Sequence, residues 1–409
     1  MSISWVLAWR NLWRHRRRTW LTVGAMVLCN TLLVGLISLQ FGVYSMMIDN
    51  MLGSVTGHMQ IQHPEYLEDE RMRQTVPHAT DWIDKIAALP GVRGVSVRAM
   101  GFALAAGTER SFGIRVVGVQ PSRESVVSSL PGLVKQGRYL KNGSAAEAVI
   151  GARLAENLKV TLGDELVLLG SGRDGSVAAA IPTIVGIIES GFPEVDQTLA
   201  QVPLAFFDDT FSMRSEAHSV VIRLDALNDL DRVAASIQTL LPHDESLALR
   251  PWEELQPGLK QAIKSDLVSA WFMYAVLIVL VALSVLNTQL MSVLERTREF
   301  GVMLALGLSP GRLARLVGME TCLLGALGLV LGLTLGLILT YYLSVHGFTY
   351  PGMDELAARF NLSGRMYPQI SLLSAFWGPL TVFAGVLLAA VYPAMQLFHM
   401  RPVEAMQAV

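Results

Sequence analysis

The chain has 409 residues, 52% hydrophobic and only 16% charged, with a net charge of −2. A soluble globular chain is nearer a quarter charged, so a wholly soluble fold is excluded, and the near-neutral balance gives no reason to expect a nucleic-acid partner. Only Cys29 and Cys322 occur, both inside long apolar runs, which excludes a disulfide framework.

Four runs without Asp, Glu, Lys or Arg hold the apolar excess: Thr19–Ile48, Leu267–Leu294, Thr321–Met353 and Met366–Met400. Each exceeds the roughly 20 residues that a helix needs to cross a bilayer. The expected fold is a membrane protein of four transmembrane α-helices, with a large α+β extracytoplasmic domain between helices 1 and 2. The expected divisions are an N-terminal amphipathic helix over 1–18, helix 1 with a stalk over 19–48, the outer domain over 49–266 and helix 2 over 267–294. A connector at 295–315, helix 3 at 316–343, a short outer loop at 344–369, helix 4 at 370–397 and a tail at 398–409 follow.

Residues 49–266 hold 20 Lys plus Arg against 28 Asp plus Glu, so they carry −8 and leave +6 for the rest. The positive charges cluster at Arg10, Arg14 and Arg16–Arg18, and at Arg296, Arg298, Arg312 and Arg315. The 354–365 loop balances Asp354 and Glu355 against Arg359 and Arg365. By the positive-inside rule the N-terminus, the connector and the C-terminus are cytoplasmic, and the outer domain faces outward. Five arginines before a run too long for a cleaved signal make span one a signal anchor.

In chain order, Trp5, Trp9, Leu12 and Trp13 fall on one helical face, as expected of a helix lying on membrane lipid. Span one carries Asn30, Ser38 and Gln40 beside Gly24, Gly35 and Gly42, a composition for helix packing or a polar cavity. It is expected to run on as a stalk to about Leu52. The outer domain opens with an alternating strand near Gly57–Gln62. A helix follows at Asp81–Leu89, then two or three strands over Val92–Val119 with turns at Gly107 and Gly113. Strands are expected at Ile181–Ile188 and Ser219–Leu224, and a helix at Leu230–Leu241. A second stalk, Trp252–Ser265, leads into span two. There Ser284, Asn287 and Thr288 form a polar stripe at helical spacing. Span three has a Gly328–Gly332–Gly336 ladder for close packing, and span four has Pro379 and Pro393.

Few residues offer catalysis. His58, His63 and His78 match no metal-ligand spacing and read as structural. No Walker A motif is present, so any ATP-driven work needs a separate ATPase. Glu320, at the inner end of span three, is either interfacial or paired with an arginine of the N-terminal or connector region. Ser309-Pro310 starts the third span helix, and span two runs through Glu295. Between them, Arg296–Leu308 forms a short element with bends at Gly301 and Gly307. It places Phe300, Val302, Met303, Leu304 and Leu306 on what reads as an exposed apolar face, a docking surface for another protein.

The run Arg296-Thr-Arg-Glu-Phe-Gly-Val-Met-Leu-Ala-Leu-Gly307, before a span opening at Glu320, resembles the cytoplasmic coupling segment of the FtsX/MacB/LolC–LolE family of ABC-transporter permeases. Phe300 stands where many members have isoleucine. The order of basic helix, span, outer domain, three spans and a Pro393…Pro402 tail matches over nearly the whole chain. Gly57–Tyr66 and Val117-Gly-Val-Gln-Pro121 look like the lipoprotein-release branch.

The resemblance implies a permease of the bacterial inner membrane with no catalytic site. A second permease copy or a paralogue packs beside it. Two copies of a cytoplasmic ABC ATPase bind ATP and Mg and dock on Arg296, Thr297, Arg298, Glu299, Phe300, Gly301, Met303, Leu304, Leu306 and Gly307. A periplasmic lipoprotein carrier or adaptor completes the set. Extraction of lipid-anchored proteins is the expected activity. MacB-like efflux of drugs or peptides, and FtsX-like control of a cell-wall hydrolase, are the alternatives.

Overall fold

The computed structural model describes residues 3–107, 109–141, 143–242, 246–349, 351 and 365–399. The 354–365 loop, apart from Arg365, and the tail beyond His399 with its Pro402 lie outside these residues. Helix α1 spans Ile3–Leu12, and a turn through Trp13–His15 leads into α2, Arg16–Met51. Its last turn widens into a π-helical turn over Leu52–Thr56, closed by Gly57 at φ +69°.

The outer unit is built on one mixed sheet. In order come β1 (Met59–Gln62), α3 (Asp81–Ala87), β2 (Val92–Ala106), β3 (Ser111–Val119), α4 (Pro121–Val127), β4 (Val134–Gly137), β5 (Glu147–Gly151) and α5 (Ala152–Leu158). Next are β6 (Val167–Ser171), β7 (Val177–Ala180), β8 (Thr183–Ile188), α6 (Pro193–Thr198), β9 (Leu199–Pro203) and α7 (Leu204–Phe211). The unit closes with β10 (Ser219–Leu224), α8 (Leu230–Gln238), β11 (Ala248–Pro251) and α9 (Trp252–Leu255). The strand order is β11-β1-β10-β2-β3-β9-β5-β8-β4, with β6 added beside β2 and β7 beside β6. Long β2 makes this branch: β10 pairs with its first half, Val92–Arg98, and β6 with its far end, Ala103–Ala106. Met59, Ile61, Val95, Val97, Ile114, Val116, Val220 and Ile222 alternate into the core, as period-2 patterning requires.

Two sequence expectations are corrected here. Gly113 is no turn; it lies inside β3 opposite Leu104, and the hairpin turns at Gly107, whose N–H donates to Arg110 O at 3.0 Å. The second stalk is not continuous from Trp252, because Gln256 breaks it at φ −129°, ψ 64°. Pro257 follows, and the residue before proline is driven out of the helical region. Strand β5 gives way directly to α5 at Gly151.

His58 is structural. Its Nδ1 accepts the Leu224 N–H at 2.9 Å, its N–H donates to Ile222 O at 2.9 Å, and its carbonyl accepts the Trp252 N–H at 3.0 Å. Burial, with Arg223 nearby, pushes its pKa down to about 4. His63 Nδ1 accepts the Glu65 N–H, and among the described residues no His, Cys, Asp or Glu group is arranged to hold a metal.

The other unit holds the four long apolar helices. After α9 come α10 (Pro257–Glu295), α11 (Thr297–Ala305), α12 (Pro310–His346) and α13 (Leu372–Gln396). Together with α2, helices α10, α12 and α13 are long and apolar enough to span a membrane. Val23, Met26, Cys29, Leu33 and Ile37 of α2 meet Tyr274 and Val285 of α10, Leu324 of α12, and Val382 and Val386 of α13. The glycine ladder packs α12 on α2: a Cβ on Gly332 would lie 2.5 Å from Asn30 Cβ, and one on Gly328 2.7 Å from Met26 Cβ.

Candidate coupling site

Span two ends at Glu295, and Arg296 leaves the helical region at φ −105°, ψ 13° before α11 begins. Thr297 Oγ1 donates back to Leu294 O at 2.8 Å, which holds the corner. At the far end Gly307, at φ +93°, supplies a turn that a side chain would strain. Ser309 is extended and Pro310 opens α12, as expected, but the Ser309 side chain makes no capping hydrogen bond. Gly301 is no bend; it lies buried within α11.

The connector folds back on the bundle. Phe300 is fully buried in a cluster with Val293 of α10, Leu313 and Val317 of α12, and Leu397 just beyond α13. Met303 and Leu304 pack partly against the same cluster. This corrects the reading of five exposed apolar residues. The outward face is Arg298, Val302 and Leu306, spaced i, i+4, i+8, with Val302 44% and Leu306 79% exposed. Thr297 and Glu299 are half-buried, and Gly307 is exposed.

Arg296 is buried beneath this face. Its Nη1 donates to both carboxylate oxygens of Glu320, each at 3.1 Å, and its Nε donates to Glu299 Oε2 at 3.2 Å. The guanidinium also lies 4.9 Å from the Phe300 ring centroid. Glu320 takes a third hydrogen bond from Asn11 Nδ2 of α1 at 2.7 Å, and Glu299 takes one from Arg14 Nη1 at 2.7 Å. Arg18 pairs with Glu295 at 2.7 Å. Partial burial pushes the Glu299 carboxyl up, but the hydrogen bonds from Arg14 and Arg296 outweigh it and hold its pKa below the usual range. A cavity of about 30 Å³ opens beside Arg296, Glu320 and Gln289, room for ordered water.

Glu320 thus pairs with the connector's arginine, Arg296, whereas the N-terminal helix reaches it through Asn11 and not through an arginine. Asn11 and buried Gln289 carried no sequence signal beyond polarity on an otherwise apolar helix face. The stripe on α1 divides: Leu12 is buried, whereas Trp5 and Trp9 are exposed.

The other polar span residues scatter. Asn30 is buried and donates to Gly328 O at 3.1 Å. Gln40 accepts from Tyr274 OH at 2.8 Å and donates to Tyr44 OH at 2.7 Å, and Tyr44 OH donates to Asp266 at 2.6 Å. Of the α10 stripe, Thr288 accepts a hydrogen bond from Thr22 of α2 at 3.3 Å, whereas Ser284 and Asn287 are exposed. Asn30 and Gln40 therefore bind helices together, and Ser284 and Asn287 stay unburied.

Comparison with known proteins decides the family. The model for the FtsX-like permease C-terminal matches residues 271–402, and that for the MacB-like periplasmic core domain matches residues 19–240, more than half the chain. The chain belongs to the FtsX/MacB family of ABC-transporter permeases. Both matching models describe permease parts, no ATPase domain is found, and an ABC permease implies a partner ATPase. The permease is similar to the lipoprotein-releasing system transmembrane protein LolC of Xylella fastidiosa (strain Temecula1), at 24% identity over 365 residues, 83% of this chain and 86% of that one. It is similar to the corresponding LolE of Haemophilus influenzae, at 22% identity over 371 residues, 85% of each chain. The solved periplasmic region of MacB from Actinobacillus actinomycetemcomitans aligns with a TM-score of 0.38 at 14% identity, over 53% of the permease and 95% of that chain.

Proposed function

We infer that this permease extracts lipid-anchored proteins from the bacterial inner membrane, driven by a separate cytoplasmic ATPase that docks on α11. The reading is carried by the similarity to LolC and LolE, which spans more than four fifths of each chain. The arginine clusters at Arg14–Arg18 and Arg296–Arg315 support a topology with both termini and α11 in the cytoplasm and the sheet unit in the periplasm.

In this reading the ATPase meets Arg298, Val302 and Leu306. Phe300 and the Arg296–Glu320 pair bind α11 to α10 and α12, so a push on its outer face moves both spans rather than a loose loop. Helices α2 and α10 each continue unbroken to the border of the sheet unit and give the motion a stiff path. Span α10 is the least covered, with Phe272, Val276, Leu280 and Leu283 exposed, which suits a second permease copy or a paralogue against it. A periplasmic carrier would then receive the released protein.

Photocrosslinking residues on the outer halves of α2 and α10 test the reading in cells. Adducts with acylated proteins are expected. If none form while a periplasmic adaptor co-purifies with the permease, MacB-like efflux replaces lipoprotein release.

A further inference from the structure

Strand β2 is written as though covered on both faces. Val95, Val97, Ala99, Ala103 and Ala105 enter the core, yet Met100, Phe102 and Leu104 between them are also apolar. That second face is covered in part: Ser96 and Arg98 lie under Glu124 of α4, and Met100 packs partly against Val117, Leu130 and Leu199, but Phe102 and Leu104 beyond them are left open. Phe102 is 58% exposed, Leu104 46%, and Leu169 on neighbouring β6, paired with Leu104, 48%. Gly113 of β3, opposite Leu104 on the other side, withholds a side chain from the same face; a Cβ there would meet nothing.

These residues floor a groove of about 720 Å³, walled by α6 through Val195 and Gln197. Its lining also includes Met51, Ser54 and Gln256. Met51 is the last residue of α2, Ser54 lies in the π turn after it, and Gln256 directly precedes α10. The groove is therefore lined in part by the residues through which the chain passes to its first two spans. Its rim carries Arg115, whose guanidinium sits 5.4 Å from the Phe102 ring and 3.2 Å from Glu70.

We propose that this groove takes an acyl chain of the lipid-anchored substrate as it leaves the membrane. The proposal rests on the lipoprotein-release reading and adds where the chain lies outside the bilayer. A concave, mainly apolar site with a few polar groups, in the range of about 300–1,000 Å³, is what a small ligand needs, whereas a stable protein partner covers a broader surface of about 800 Å². A lining shared with the residues that lead into the first two spans favours a ligand that arrives from the membrane over one from solution. Exposed aromatic and aliphatic side chains in a row supply contact for methylenes, and the one buried cation in the lining, Arg98, is already neutralised by Glu124.

The full permease, with its ATPase, in nanodiscs is incubated with a triacylated lipopeptide bearing a diazirine on one acyl chain, then irradiated and mapped by peptide mass spectrometry. Adducts on β2 and β6, around Phe102, Leu104 and Leu169, are expected. The triple change Phe102→Ser, Leu104→Ser, Leu169→Ser should lower them at least tenfold. Gly113→Leu, which fills the groove from β3, should do the same with the wild-type floor retained. An unchanged melting temperature of the sheet unit shows that neither variant acts by unfolding. Adducts confined to α2 and α10 would overturn the groove and leave lipoprotein release standing. Adducts nowhere would overturn both. Crosslinks between two permease copies across β2, without lipopeptide adducts, would make the face a protein interface and also overturn the proposal.

Discussion

Arg296 Nη1 lies 3.1 Å from each carboxylate oxygen of Glu320, and both side chains are only 9% exposed. The pair joins the corner after span two to the inner end of span three, and Asn11 adds the N-terminal helix to the same carboxylate. Removing one member leaves the other buried without its partner, which costs about 3–5 kcal/mol. Arg296→Ala and Glu320→Ala should each lower the melting temperature of the bundle clearly. The double change Arg296→Met, Glu320→Met should cost less than either, since it leaves no orphan charge. By contrast Arg14→Ala, whose pair with Glu299 is largely exposed, should cost no more than about 1 kcal/mol. Thermal unfolding in nanodiscs ranks the four variants.

Phe300 lies within α11 and Leu306 caps its end, and the two should behave in opposite ways. Phe300→Ala removes a fully buried ring and should destabilise the connector by about 3–5 kcal/mol. Leu306→Asp and Val302→Asp change exposed positions, so stability should move by less than about 0.5 kcal/mol while capture of the ATPase falls. Co-purification with the ATPase, read beside circular dichroism, separates the two effects. Normal ATPase capture by Leu306→Asp would remove the docking role from this face.

Gly332 and Gly318 lie on the same helix in different surroundings. A side chain at Gly332 runs into Asn30, whereas a Cβ at Gly318 meets nothing within 4 Å. Gly332→Leu should force α2 and α12 apart and cost about 1–3 kcal/mol or more, while Gly318→Ala should be neutral or slightly stabilising. Crosslinking yield between cysteines placed on α2 and α12 reports the separation directly.

Acid should loosen the sheet unit through two histidines. Burial pushes both His58 and His218 from 6.5 down to about 4. The folded state therefore binds these protons less readily than the unfolded chain. The stability from keeping the rings neutral is complete above about pH 6.5 and falls as pH drops toward 4, by up to ~3 kcal/mol per ring. His58 Nδ1 accepts the Leu224 N–H and His218 Nδ1 the Met100 N–H, so protonation also breaks a strand contact at each site. The protection factors of β10 and β2 amides, corrected for the intrinsic exchange rate at each pH, should fall between pH 7 and pH 4 in wild type. The slope should flatten in the double change His58→Asn, His218→Asn, which keeps an acceptor without a proton to gain.

Much of this protein was legible from its sequence. Four charge-free runs and the arginine clusters determined the spans, because water and bilayer sort residues by polarity whatever the tertiary packing. Ser219–Leu224 and the Ser309-Pro310 helix start could also be read locally, since alternation and a proline act within a few residues. Tertiary structure decided what lies between those signals. Phe300 and Leu306 are equally apolar in the sequence; only folding of α11 onto Val293, Leu313 and Val317 buries one and leaves the other outside. Glu320 could have faced water, but Asn11 and Arg296, 309 and 24 residues away in the chain, converge on it. Gly113 looked like a turn because composition cannot tell a glycine that bends the chain from one that keeps a strand face open. Those distinctions depend on which surfaces meet across the fold, and that information is not local to any stretch of the chain.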